Sequence, residues 1–425
     1  MHITTRTYRR WGGAAVAVAT LAGAALVPTS AHAAVPASWV DEQVNFVLGE
    51  QVTSGAITSF DTKITPYFAN IAALGLVEAN TAASRAGALK WMQWYLGHLN
   101  PASPNVPANS VFDYTYDAVT GTETPTGDFD SVDSYASTAL NLAFEAHSSG
   151  DPALMSFVSS NIGKYEAIAN ILNFGAPIGV RVETGPDAGL TIAKPSYPIA
   201  YTMDNVEVYS GLADFVKLQS ALGRTAEASY YDAWATLTKD AILSKLWNPT
   251  NNNWDWAYAN SSNIGVFYAQ ATAQLWPILY GVVAPSDPKA ISAWGQFTAA
   301  YPTWFEGGLP DAYPWVSISR VAQLMGNTAR AEAYLTNVHS RYAPGFGLPS
   351  SCSVAICGRW YNNESGWFML ASIAAAGPTA PVDSQGNSRL CRAGVFPSPN
   401  TADAGRPDRP GFATGLTRAR DRACR

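Results

Sequence analysis

Apolar residues recur at helical spacing in about twelve stretches between Ser38 and Gly377, and the stretches fall into six consecutive pairs. They cover about 38–51, 67–78, 82–99, a run opening at 126–136, then 152–174, 203–223, 225–247, 264–280, 288–301, 316–325, 328–339 and 361–377. Pairs return every ~50–70 residues, a period that marks a repeated supersecondary unit. The second member of each pair is the more apolar. Antiparallel pairs with that asymmetry close most simply with the even helices inside and the odd helices outside. The expected fold is therefore all-α, an (α/α)6 toroid, with a few short β-hairpins in its loops. Gly179–Ala193 reads as a β-hairpin around a Gly-Pro-Asp-Ala-Gly turn, and Val111–Tyr116 and Trp254–Tyr258 read as short strands.

In such a toroid the even helices all begin at one end of the inner ring, so what precedes them shares one cleft. Asp61 and Tyr67 stand at helix two. Asp128, Asp130 and Asp133 open helix four, after a long loop (about 100–128) that carries Asp113 and Tyr114. Loops of that length inside a compact chain are usually functional. Asp204 and Glu207 open helix six, Asn260 and Asn263 precede helix eight, Asp311 and Trp315 precede helix ten, and Glu364 and Trp367 open helix twelve. The odd helices start more plainly, with Asp-Pro at 151 and 287. Each acidic pair could simply cap its helix, since Asp204-x-x-Glu207 approaches a capping box and acids suit a first turn. Capping does not explain why acids and aromatics gather at the even starts.

Charge narrows the partners. The chain has 14% charged residues, 14 Trp, 20 Tyr and a net charge of −6, which gives no basic footprint for nucleic acid. Arg6, Arg9 and Arg10, the apolar run Gly12–Val27 and the small-residue site Ala31-His-Ala33 read as an export signal. The run is too short for a confident span, so no membrane attachment is expected of the mature chain. The expected organisation is a signal peptide over 1–33, the toroid over 34–377 and an Arg- and Pro-rich tail over 378–425 that reads as disordered. Cys352 and Cys357 flank four residues, and in an exported chain they read as a local disulfide. No His lies near them, so no metal and no cofactor are expected.

The segment Gly127–Ala136 (Gly-Asp-Phe-Asp-Ser-Val-Asp-Ser-Tyr-Ala) resembles the acidic helix-entrance segment of glycoside hydrolase family 8, and the pairwise layout resembles the six-hairpin glycosidase superfamily. Pro66–Gly75 and Met203–Leu212 are similar to segments of secreted six-hairpin proteins. The resemblance spans roughly Trp39 to Gly377 and implies a secreted, monomeric enzyme acting on carbohydrate. The general-acid Glu that family 8 carries at its second helix is missing, Asp61 being the acid offered there. Read from the residues, the expected reaction is glycoside hydrolysis, with Asp130, Asp204 and Glu207 as the catalytic set. Asp128, Asp133, Asp61, Tyr67, Asp113, Tyr114, Asp311, Trp315, Glu364 and Trp367 are the expected substrate contacts. A polysaccharide lyase on the same toroid and a non-catalytic carbohydrate binder are the alternatives.

Overall fold

The computed structural model describes residues 35–59, 62–311, 313–342 and 360–376. The proposed signal segment, the tail, Asp61 and both Cys352 and Cys357 lie outside the described residues. Thirteen helices are described: α1 (Ala37–Gly49), α2 (Pro66–Ala79), α3 (Ala82–Gly97), α4 (Val132–Ser148), α5 (Pro152–Ser160), α6 (Ile162–Asn173), α7 (Thr202–Ala221), α8 (Thr225–Lys245), α9 (Trp276–Leu279), α10 (Pro288–Ala300), α11 (Ser317–Leu324), α12 (Thr328–Tyr342) and α13 (Asn362–Ala375). Contacts run α2 to α4 to α7 to α9 to α11 to α13 and back to α2, which closes an inner ring of six. The other helices back onto this ring: α1 on α13, α3 on α2, α5 and α6 on α4, α8 on α7, and α12 on α11. This is the (α/α)6 toroid. No described helix is long and apolar enough to cross a membrane.

The inner helices approach closely because glycine removes a side chain at their crossings. A Cβ on Gly366 of α13 would lie 2.2 Å from the Ile71 carbonyl oxygen of α2. One on Gly211 of α7 would lie 2.6 Å from the Ser137 carbonyl oxygen of α4. Both neighbours are backbone, which cannot swing aside.

Side-chain caps occur on the outer helices α3, α5 and α10, though not on α1, α6 or α8. In the outer ring, Thr81 accepts the Ser84 N–H of α3 in a capping box, Asp151 accepts the Ala153 and Leu154 N–H groups of α5, and Asp287 accepts the Lys289 N–H of α10. None of α2, α4, α7, α11 and α13 carries a side-chain cap on its own N-cap residue.

Three local expectations need correction. The fifth helix divides into α5 and α6 at Asn161, where the backbone leaves helical geometry (φ −111°, ψ 14°). The eighth is no continuous helix: a wide turn at Phe267–Ala271 is broken at the extended Tyr268, a 3-10 turn follows at Thr272–Gln274, and only α9 is regular. Pro277 brings no N–H and enforces a fresh start there. The Gln274 side chain also leaves the helix to accept the Trp254 N–H and donate to the Trp254 carbonyl. Gly179–Ala193 turns back antiparallel but forms no named strand: the Val182 N–H donates to the Leu190 carbonyl at 2.8 Å and the Ile192 N–H to the Val180 carbonyl at 3.0 Å around the Arg181–Thr191 bridge. The buried Arg181 guanidinium staples the segment through the Leu172 and Gly189 carbonyls and the Thr238 hydroxyl.

Strands β1 (Lys63–Ile64), β2 (Tyr114–Asp117) and β3 (Thr122–Pro125) form an antiparallel sheet in that order, with Ile64 opposite Tyr114 and Tyr114 opposite Pro125. The sheet returns the chain to Asp128 at the start of α4, where the Asp113 N–H donates to the Asp128 carbonyl at 2.9 Å. β4 (Trp247–Asn248) and β5 (Asn253–Trp254) form a separate two-stranded hairpin.

Candidate active site

All six inner elements bring residues to one cavity of about 250 Å³ at the end of the ring where they begin. Tyr67 and Phe68 come from α2, and Asp130, Ser131, Ser134 and Tyr135 from the start of α4. Met203, Asp204 and Glu207 come from α7, and Tyr268 and Trp276 from the broken fourth element. Asp311, Tyr313, Trp315 and Ser317 come from the start of α11, and Asn363, Glu364 and Trp367 from α13. The described lining holds five carboxyl groups and no Lys, Arg or His.

The arrangement around Ser131 fixes where a proton sits. Its hydroxyl oxygen is 2.6 Å from Asp133 Oδ1 and 2.8 Å from Asp204 Oδ2. A serine hydroxyl donates one proton only, so one of these contacts needs a proton on the carboxyl itself. Asp133 also accepts the Ser134 N–H at 3.0 Å and the Thr191 hydroxyl at 2.7 Å, which suits a carboxylate. Asp204 has no such donors. Burial, followed by the charges of Asp133 and Glu207, pushes its pKa well above the ordinary carboxyl value. Asp204 therefore holds the proton and donates it to Ser131, which donates to Asp133. Asp133 is itself pushed up to about 6 by burial, against three hydrogen bonds that favour its charged form.

Two deeper acids are clamped. Glu207 Oε1 accepts the Tyr67 hydroxyl at 2.6 Å and the Trp276 indole N–H at 2.8 Å, and burial pushes it up to about 7. Glu364 Oε2 accepts the Val316 N–H at 2.8 Å, so it serves the start of α11 from the neighbouring α13, and burial raises it to about 7. Asp311 accepts the Tyr313 N–H at 3.0 Å in a local turn. Asp130 differs from all of these. It is exposed, and its carboxyl has no hydrogen-bond partner among the described residues. Its backbone N–H donates to the Tyr135 hydroxyl at 3.2 Å, and that hydroxyl donates to Asp113 Oδ1 at 2.8 Å. Asp113 is raised to about 6 by burial. Asp130 is thus held through its backbone while its carboxyl stays open.

The aromatic wall is built on Trp315, whose backbone sits in the left-handed region (φ 53°). A bulky side chain rarely adopts that conformation, and such residues cluster where a side chain must be aimed. Its ring lies 5.4 Å from Tyr268 and 5.7 Å from Trp276.

Of the residues singled out in the sequence, Asp130, Asp204, Glu207, Tyr67, Asp311, Trp315, Glu364 and Trp367 line this cavity. Four do not. Asp133 is wholly buried behind Ser131, so a substrate contact does not fit it. Asp128 turns to Lys194 Nζ, which donates to both of its oxygens at 2.9 and 3.0 Å and to the Phe129 carbonyl at 2.7 Å. Asp113 stands behind Tyr135. Tyr114 packs on Trp94 and His98 at 5.2 and 5.3 Å, away from the lining. Sequence reasoning missed Ser131, Tyr268 and Trp276. Ser131 had a signal in Asp-Ser-x-Asp, but serine at a helix start ordinarily reads as a cap.

No family model matches the chain, and no curated protein matches it by sequence. Solved structures do match its shape. A GH76 α-mannanase from Bacteroides thetaiotaomicron superposes with a TM-score of 0.53 at 12% identity, covering 80% of this chain and 94% of that one. A metal-independent α-mannosidase from Streptococcus pneumoniae, in a non-productive complex with α-1,6-mannobiose, gives 0.53 at 10% identity over 79% and 93%. A glycosidase in complex with glucose gives 0.52 at 13% identity over 80% and 96%. These likenesses show the (α/α)6 fold.

Proposed function

We propose that the protein is a glycoside hydrolase acting on an oligo- or polysaccharide. The observation that carries this reading is that the buried Asp204 carboxyl and the unpartnered Asp130 carboxyl line one cavity walled by aromatic rings. In this scheme Asp204 protonates the leaving glycosidic oxygen, and Asp130 either activates water or attacks the anomeric carbon. Ser131 and Asp133 orient Asp204; its O–H turns from Ser131 to the glycosidic oxygen, and the water consumed in hydrolysis restores the proton. Glu207, clamped by Tyr67 and Trp276, positions the sugar rather than moving protons. Trp315 and Trp367 offer ring faces, and the remaining acids accept sugar hydroxyls.

A lyase reading finds little support. Uronate substrates call for a cation at the site, and no described lining residue supplies one. Lys194 is engaged by Asp128, and Arg181 by backbone carbonyls and Thr238. Because two of the fold neighbours are described as a mannanase and a mannosidase, α-mannosides are the first substrates to try. Export is part of the proposal and rests on Arg6, Arg9, Arg10, the apolar run and Ala31-His-Ala33 alone.

The test is a polysaccharide and oligosaccharide hydrolysis screen read by reducing-end release. On any substrate found, Asp204→Asn and Asp130→Asn should each abolish turnover while leaving the melting temperature close to that of the parent. Full activity in both variants would sink the assignment.

A further inference from the structure

The cavity of about 250 Å³ is smaller than the ~300–1,000 Å³ of pockets that enclose drug-sized ligands, so a sugar chain of several units must run out of it along the rim. One sector of that rim is unlike the rest. The exposed aromatic rings among the described residues are Tyr197, Tyr230 and Tyr268; Tyr268 lines the cavity, and Tyr197 lies beside Tyr201 at the start of α7. Tyr268 is 60% exposed and Tyr197 47%, where a core role would have buried them.

Tyr197 packs with two further rings before and beside α7. Tyr201, just before α7, lies 6.5 Å from Tyr197 and 5.6 Å from Trp256. The patch sits on stitched backbone: the Thr202 N–H donates to the Trp256 carbonyl at 3.0 Å, and the Tyr258 N–H donates to the Ala200 carbonyl at 2.9 Å. It adjoins the acids along the chain, because Tyr201 directly precedes α7, whose Met203 and Asp204 line the cavity. Tyr268 in turn rests on Trp315 inside the cavity.

We propose that Tyr197, Tyr201, Trp256 and Tyr268 form a second sugar-binding subsite, so that the ligand is a linear oligosaccharide reaching from the cavity across the start of α7. The rings offer flat apolar faces at little conformational cost, with hydroxyls at their edges. The inference rests on the reading of the cavity as a sugar site.

The experiment measures binding and hydrolysis of linear manno- and gluco-oligosaccharides of increasing length, from disaccharide upward. The parent protein should bind longer chains more tightly. Tyr201→Ala and Trp256→Ala should each cost about three- to tenfold on the longest chains and much less on the disaccharide. Tyr201→Phe, which keeps the ring, should retain the gain with length, and Tyr230→Ala, far from the mouth, should change nothing. Equal affinity for short and long chains overturns the subsite, as does a Tyr201→Phe defect equal to that of alanine. Length-dependent binding without hydrolysis keeps the subsite and removes the hydrolase reading. Hydrolysis without length dependence does the reverse, and no binding across the panel removes both.

Discussion

Three outer helices are capped by their own side chains, and none of the inner helices is. Thr81, Asp151 and Asp287 in the outer ring turn their side chains onto the first N–H groups of their own helices. At the inner starts, Asp130 and Asp204 face a cavity instead, and Glu364 is held by the neighbouring helix rather than its own. The same residue type thus does structural work in one ring and is left available for chemistry in the other. Helix starts tolerate the loss of caps when tertiary packing holds them, and the glycine-spaced crossings of α2 with α13 and α4 with α7 supply that packing.

Substitutions can break this contrast. The largest effect is expected at Asp204→Asn and Asp130→Asn, where loss of acid or base should cost about 10²–10⁴ in kcat with little change in melting temperature. Ser131→Ala should lower kcat by a smaller factor, since Asp204 keeps its carboxyl and loses its partner. In the packing, Gly211→Ala should destabilise the fold by about 1–3 kcal/mol in denaturant titrations, because the added methyl meets backbone. In the outer ring, Asp151→Ala and Asp287→Ala should each cost about 1 kcal/mol and leave kcat alone. Loss of activity in the outer-ring variants, or of stability alone in the inner-ring ones, would erase the distinction.

Proton linkage gives the broadest effect, spread over buried acids of α2, α7 and α13 rather than confined to one residue. Glu207, Glu364 and Glu78 are each raised by burial from 4.5 to about 7. Between those values the folded chain holds protons that the unfolded chain has released. Their contribution to stability is therefore full at the acid end and is lost as pH rises through about 7. The melting temperature should be higher near about pH 5 than near about pH 8.

Much of the toroid was legible because an inner helix must be apolar nearly all round. Residues such as Ala139, Leu140, Leu142 and Ala143 declare that directly. The fourth inner element was not, since its apolar run hides the breaks at Tyr268 and Pro277 and the diversion of the Gln274 side chain. The gathering of acids at even starts pointed to the end of the ring where the cavity lies. Which acid faces inward could not be read within a six-residue cluster. Asp128, Asp130 and Asp133 look alike in sequence, yet Lys194 claims the first, Ser131 and Thr191 claim the third, and only the second is open. Those partners come from up to 66 residues away, beyond the reach of local spacing.

The central claim is that Asp204 carries a proton at neutral pH while its neighbour Asp133 does not. Infrared difference spectra between the parent and Asp204→Asn, recorded without substrate on isotope-labelled aspartate, read this directly. The account predicts loss of a protonated-carboxyl C=O band in the variant at neutral pH. Loss of carboxylate bands alone would show that Asp204 is ionised and would contradict its role as the acid.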